Sequence, residues 1–313
     1  MKTCGMRGCC TLAGMDATFE EAPPLPSWLA VELPFRRRMA VIDGVRVHFV
    51  DEGNGPPVLL VHGNPTWCYL WRKVIHQVTP GVRVIAPDLV GLGLSDKPRR
   101  PAAHQLEMHL ETIRALVRAL DLRDLTVVGQ DWGGPVAAGV GAREPDRVHG
   151  VVFANTAVLP PRRPFRTKGF HRFSQLPVVS DLVFRGLNFP LPVLDRVQGD
   201  RSSIGRAEKR AYRWPLRRIR DRAAPLGLAR MVPDGEDHPS AAVLDEVGAW
   251  VEGFRGPAAL VWGSRDPILG RALRRLREGI PQAQVVEPQA GHFLQEEVPE
   301  ELAAAILGVV ENT

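Results

Sequence analysis

With 313 residues, 44% of them hydrophobic, the chain can bury a substantial core, either as one large domain or as one domain carrying an insertion, which excludes a disordered or fibrous protein. Its 40 Lys and Arg residues against 35 Asp and Glu leave a net charge of +5, too small and too scattered to argue for a nucleic-acid groove. Three of the four cysteines (Cys4, Cys9, Cys10) fall in the first ten residues and the fourth is Cys68, so neither a disulfide framework nor a C-x-x-C metal pair is legible.

The opening "MKTCGMRGCCTLAGMD" holds too short an apolar stretch between Arg7 and Asp16 for a signal peptide. No later segment approaches the roughly 18 apolar residues of a membrane span. The expectation is a cytoplasmic protein in a reducing compartment, with no membrane or nucleic-acid partner. Residues 1–14 read as a disordered tail, or as a start assigned too early with Met15 the true one. Residues 1–35 together make a tail and a Pro-rich lead-in, "EAPPLPSW".

From there "MAVIDGVRVHFVDEG" alternates apolar and polar positions on both sides of Asp43-Gly44, the signal of a tight hairpin. The runs that follow, "PVLLVHG", "VRVIAPD", "LTVVGQD", "VHGVVFAN", "AALVWGS" and "AQVVEPQ", are short and nearly all apolar, as in parallel strands covered on both faces. Helix-length segments between them, such as 102–120, supply the crossovers a parallel sheet needs. The pattern predicts an α/β fold with a mostly parallel eight-stranded sheet flanked by helices. Its core spans residues 36–155 and 241–313. Residues 156–240 break the alternation, are dense in Arg and Pro, and read as an inserted helical cap. With 17 Lys and Arg against 8 acidic residues the insert carries +9 and the remainder −4. A solvated basic face is the plain reading. The alternative is that this field helps draw an anionic product outward, in which case turnover depends on ionic strength; equal activity at low and high salt removes it.

"GQDWGG", directly after "LTVV", has the glycine spacing of a nucleophile elbow between strand and helix, with Asp131 in the nucleophile's place. A serine there needs a base to take its proton, whereas an aspartate, with an ordinary pKa of about 3.9, is already ionised at neutral pH and can attack saturated carbon. Capping of the next helix is the competing role for Asp131. An alkyl ester on Asp131 must then be hydrolysed, which calls for a base and an acid to hold it. His292 in "AGHFLQEE" follows the last predicted strand and Asp266 in "WGSRDPIL" follows the one before, giving the order nucleophile, acid, histidine. Their plainer roles are a surface loop histidine and a helix cap before Pro267. In "VLLVHGNPTW", Asn64 follows His-Gly. Backbone N–H groups of Asn64 and Trp132 fit the oxyanion hole of this elbow, and their side chains add N–H donors that hold their protons at neutral pH. Such donors steady an anion that leaves unprotonated; a turn residue and a packing residue are the alternatives.

Through "HGNPTW", "APDLVGLGLSDKP", "VGQDWGG", "AYRWPL", "WGSRDPIL" and "GHFLQEE", covering roughly residues 30–310, the sequence resembles the haloalkane dehalogenases of the α/β-hydrolase superfamily. The resemblance implies Asp131 as nucleophile, His292 as base, Asp266 as its orienting acid, and Asn64 with Trp132 as halide donors. It implies a small halogenated aliphatic substrate, water and a halide ion as partners, with no cofactor and no metal. Some members carry the acid after the strand preceding the cap, where this chain has Asn155; Asp266 with an Asn-Trp donor pair looks like the third subgroup, whose members tend to self-associate. Trp214 stands where relatives often have alanine and either narrows the pocket or adds a donor. Phe165, Phe170, Phe173, Phe184 and Phe189 are candidates to line an apolar cavity, with ordinary core packing the plainer role for most of them. An epoxide hydrolase shares the Asp nucleophile but usually needs two cap tyrosines, and this chain, with only two in all, offers Tyr212 alone. A fluoroacetate-type enzyme is expected to have an arginine close behind the nucleophile, and the first here is Arg143, about three helical turns on. A luciferase-like oxygenase or a non-catalytic receptor would reuse the same scaffold.

Overall fold

The computed structural model describes residues 10–12, 15–163 and 169–312. Most of the expected tail over 1–14 lies outside them. The sheet has ten strands among the described residues, because Cys10–Leu12 (β1) and Met15–Glu21 (β2) extend the antiparallel edge beyond the eight expected. The latter occupies what reads in sequence as lead-in. It pairs along Arg37–Ile42 (β3), whose apolar positions Met39, Ala40 and Ile42 are buried and give the added strand a flank to join.

β3 and Val45–Glu52 (β4) form the predicted hairpin, with Ile42 opposite Val45 and both turn residues at positive φ (Asp43 48°, Gly44 80°). This is the backbone a two-residue turn needs to match strand twist. The remaining strands are Pro57–Val61 (β5), Arg83–Pro87 (β6), Leu125–Asp131 (β7), Val148–Thr156 (β8), Ala258–Val261 (β9) and Gln284–Val286 (β10), in the order β1-β2-β3-β4-β6-β5-β7-β8-β9-β10. From β6 to β10 all neighbours are parallel, which directs the carboxyl ends of β5, β7, β9 and β10 to one edge. In such sheets that edge is where ligands bind.

Helices Arg72–Val78 (α1), Leu106–Ala119 (α2) and Gly133–Arg143 (α3) cross between strands. Between β8 and β9 come short helical turns, among them Arg206–Arg213 (α4) and Ala224–Arg230 (α5), and then the longer Pro239–Gly253 (α6), which packs on α2 and α3. Leu273–Gly279 (α7) follows β9, and Pro299–Glu311 (α8) follows β10. Among the described residues no helix is long and apolar enough to cross a membrane.

A buried ionic cluster ties three parts of this architecture together. Glu296, four residues after His292, accepts two bonds from the Arg72 guanidinium (2.6 and 3.0 Å), an ion pair from Lys73 (3.0 Å) and a bond from the Tyr212 hydroxyl (2.6 Å). Arg72 also lies over the Tyr69 ring at 3.9 Å. One carboxylate thus holds α1, α4 and the loop that carries His292. Removing one partner leaves buried charge without compensation, so Glu296→Gln is expected to lower unfolding free energy by about 3–5 kcal/mol, measured by urea denaturation. A loss under about 1 kcal/mol would contradict this role.

Candidate functional site

The sharp turn from β7 into α3 places Asp131 at φ 51°, in the left-handed region that aspartate enters more readily than most residues. The surroundings here are close. A Cβ on Gly133 would overlap the Val61 carbonyl, and one on Gly63 would overlap the Asp131 side chain, so glycine at both positions lets the strand end, the turn and the Asp131 carboxylate come together. The Thr156 hydroxyl fastens the turn by donating to the Asp131 carbonyl at 2.6 Å.

The structure brings all five site residues read from the sequence to this edge of the sheet. Asp131 Oδ1 accepts the Asn64 backbone N–H at 2.7 Å, and the Trp132 backbone N–H bonds the same carboxylate. His292 Nε2 lies 3.7 Å from Asp131 Oδ2, while its Nδ1 meets Asp266 Oδ2 at 3.0 Å. The other Asp266 oxygen accepts the Ile268 N–H at 2.7 Å, which fixes the carboxylate that orients the ring. Asn64 Nδ2 donates to the Pro225 carbonyl of α5 at 3.0 Å; an amide has two N–H bonds, so one is tethered to the insert and the second is left for a ligand.

Burial pushes the Asp131 carboxyl above the usual carboxylate range, although the His292 charge and the two N–H donors pull it down. For His292 burial disfavours the charged ring, but the hydrogen bond and charge of Asp266, helped by Asp131, outweigh it and hold the imidazole above its ordinary value.

Three polar side chains that the sequence reading left out complete the arrangement. Gln130, buried beside Asp131, donates its amide N–H to His292 Nε2 at 3.1 Å and to the His292 carbonyl at 3.3 Å. A donor there requires a lone pair on Nε2 and therefore a proton on Nδ1, facing Asp266. Asn155 donates to the carbonyls of Gly291 (2.7 Å) and His292 (3.0 Å) and accepts the Gly263 N–H (2.9 Å). Its amide pins the loop that carries Asp266 to the loop that carries His292. Glu297 accepts the N–H groups of Gly291 (2.8 Å), Gly199 (3.1 Å) and Asp200 (2.7 Å), so the insert is fastened to the histidine loop as well. The signal for Gln130 and Asn155 was a polar residue at the end of an otherwise apolar strand.

Above Asp131 lies a cavity of about 800 Å³, walled mainly by apolar side chains, with Asn64, Asp131, Trp132 and His292 at its floor. Of the phenylalanines expected there, Phe170 and Phe189 line it; Phe173 and Phe184 instead pack with Leu226 in a separate cluster, and Phe165 lies outside the described residues. Trp214 neither narrows this cavity nor donates into it: it lies in a separate basic surface groove, with the Arg217 guanidinium 4.6 Å from its ring. Tyr212 does not line the cavity either.

A family model described as the alpha/beta hydrolase fold matches residues 56–299. The chain is 35% identical over 280 residues to haloalkane dehalogenase 2 of Mycobacterium tuberculosis, covering 88% of this chain and 94% of that protein. The chain belongs to the haloalkane dehalogenases. Among solved structures, the haloalkane dehalogenase DatA from Agrobacterium tumefaciens C58 superposes with a TM-score of 0.76 at 29% identity, over 87% of this chain and 94% of that one. A cis-3-alkyl-4-alkyloxetan-2-one decarboxylase from Shewanella oneidensis is 28% identical over 288 residues, 90% of each chain. Membership makes this chain an enzyme of hydrolytic dehalogenation at the level of the family.

Because the folded His292 value is raised, its proton contributes stability below the ordinary imidazole pKa of about 6.5, and that contribution is lost as pH rises through the folded value. NMR titration is expected to place His292 above 6.5 in the native protein. In Asp266→Asn burial then dominates, and the value should fall below 6.5; an unmoved or higher value would contradict the coupling.

Proposed function

We propose that Asp131 displaces halide from a haloalkane carbon by backside attack, forming an alkyl ester, while the Asn64 amide and the Trp132 indole stabilise the departing anion. The carbon–halogen bond breaks with its electron pair leaving on the halide, and a carbon–oxygen bond forms to Asp131. His292, held in its tautomer by Asp266, then takes a proton from water, and the resulting hydroxide adds to the ester carbonyl. The backbone N–H groups of Asn64 and Trp132 steady the tetrahedral oxyanion. Collapse returns the Asp131 carboxylate and releases an alcohol; the proton taken by His292 leaves with it or to solvent. The helices of residues 156–240 act as the cap that keeps bulk water from the ester, through the Pro225 and Glu297 contacts. The observation that carries this reading is an elbow carboxylate, bonded by two backbone N–H groups, facing an apolar cavity within 3.7 Å of a carboxylate-paired histidine.

The epoxide reading loses its acid, because the Tyr212 hydroxyl is spent on Glu296 away from the cavity. A second reading has one observation in its favour: the decarboxylase relative covers 90% of the chain, and opening a strained four-membered lactone at its alkyl carbon also expels an anion that needs no proton. The cavity volume suits two alkyl groups.

Bromide release from 1-bromoalkanes is expected from the native enzyme, with Asp131→Ala lowering it by at least about 10³-fold. His292→Phe should release one equivalent of bromide and gain the mass of the alkyl group. Multiple turnovers by either variant would overturn the assignment, and alkene with carbon dioxide from a dialkyl β-lactone, without bromide release, would favour the second reading.

A further inference from the structure

The cavity holds one charged group for which the proposed chemistry has no use. Arg275, on α7, is among its lining residues and stands in a wall otherwise made of Leu269, Ala272, Leu276 and Leu159. The side chain is half-buried, and its Nη1 donates to the Pro160 carbonyl at 2.7 Å. Among the described residues no carboxylate pairs with it; Arg143 and Arg114, by contrast, each sit between glutamates. A guanidinium carries five N–H donors in a planar fork that fits a carboxylate through two parallel bonds. The bond to Pro160 fixes the group, and among the described residues no other hydrogen bond to the fork is found. A cation set in such a wall has a cost unless an anion meets it there.

We propose that Arg275 binds the terminal carboxylate of the substrate, and that the enzyme's substrates include ω-haloalkanoates, held by their carboxylate at Arg275 and attacked at their halogen-bearing carbon by Asp131. This rests on the dehalogenase reading given above. Charge sets the direction of binding. Among the described residues Asp131 is the only acidic one lining the cavity, so an anionic end is repelled from the floor and drawn to the wall, and the halide end is left facing the nucleophile. The +9 insert, with Arg271 and Arg274 beside Arg275 in sequence, favours entry of an anion. The volume of about 800 Å³ accommodates a chain long enough to separate the two groups. The overall conversion is ω-haloalkanoate plus water to ω-hydroxyalkanoate, halide and a proton. No oxidant or further reactant is required.

Bromide release by the full-length enzyme from ω-bromoalkanoates of four to twelve carbons, each compared with its methyl ester, tests this. The esters share the reacting carbon and lack the charge. At an optimal chain length kcat/KM for the acid is expected to exceed that of the ester at least about tenfold, chiefly through KM, a difference of about 1.4 kcal/mol. Arg275→Met should abolish that ratio, and Arg275→Lys should retain part of it by keeping the charge. Equal efficiencies for acid and ester at every length, or a ratio unchanged in Arg275→Met, would overturn the proposal. If no bromoalkane releases bromide, the dehalogenase reading fails and the subsite is read by calorimetry with unreactive octanoate: binding lost in Arg275→Met supports it, and binding equal in both proteins overturns it.

Discussion

Everything in the site follows from keeping a carboxylate ionised where little water reaches it. Asp131 faces an apolar cavity, and burial alone would drive it toward its neutral, unreactive form. Two backbone N–H groups and a histidine oppose that drive without covering the carboxylate so completely that it cannot attack. These donors come from the ends of different strands. The compensation therefore exists only when β5, β7 and the loop after β10 are in register, and the glycines at 63 and 133 are what allow that approach.

Around this first constraint the buried polar groups form a second tier. Asp266 fixes one nitrogen of His292 and Gln130 the other, Asn155 joins the loops that carry Asp266 and His292, and Glu296 and Glu297 anchor the histidine loop to the core and to the insert. Few of these contacts touch a reacting atom. They fix the orientation of the ring, and in the proposed mechanism that orientation is the one from which it takes a proton from water over Asp131, the geometric condition that general-base catalysis sets.

The sheet was legible because hydrophobic period and turn chemistry agreed: Asp43-Gly44 adopts the positive φ pair that its sequence predicts, and each short apolar run became a strand. The site's frame was legible because an elbow, an Asp-Pro loop and a Gly-His loop fall after successive strands. What escaped was set by contacts distant in sequence. The β2 strand depends on the flank that β3 offers it and not on its own pattern. Which aromatic side chains face the cavity depends on how the insert folds back, so Phe170 and Phe189 were separable from Phe173 and Phe184 only in three dimensions, as was the surface place of Trp214. Arg275 reads in sequence as one arginine of a basic helix. Its place in an apolar wall appears only once Leu159 and Pro160 come against α7.

The central claim is that an oxygen of Asp131, and not one of water, forms the new bond to carbon. A single turnover in ¹⁸O-labelled water, with enzyme in excess over 1-bromohexane, tests it directly. The account predicts hexanol carrying ordinary ¹⁶O from Asp131, with ¹⁸O appearing in the Asp131 carboxylate of the recovered protein. Hexanol labelled with ¹⁸O in that first turnover, and an unlabelled Asp131, would mean that water attacks carbon itself and would contradict it.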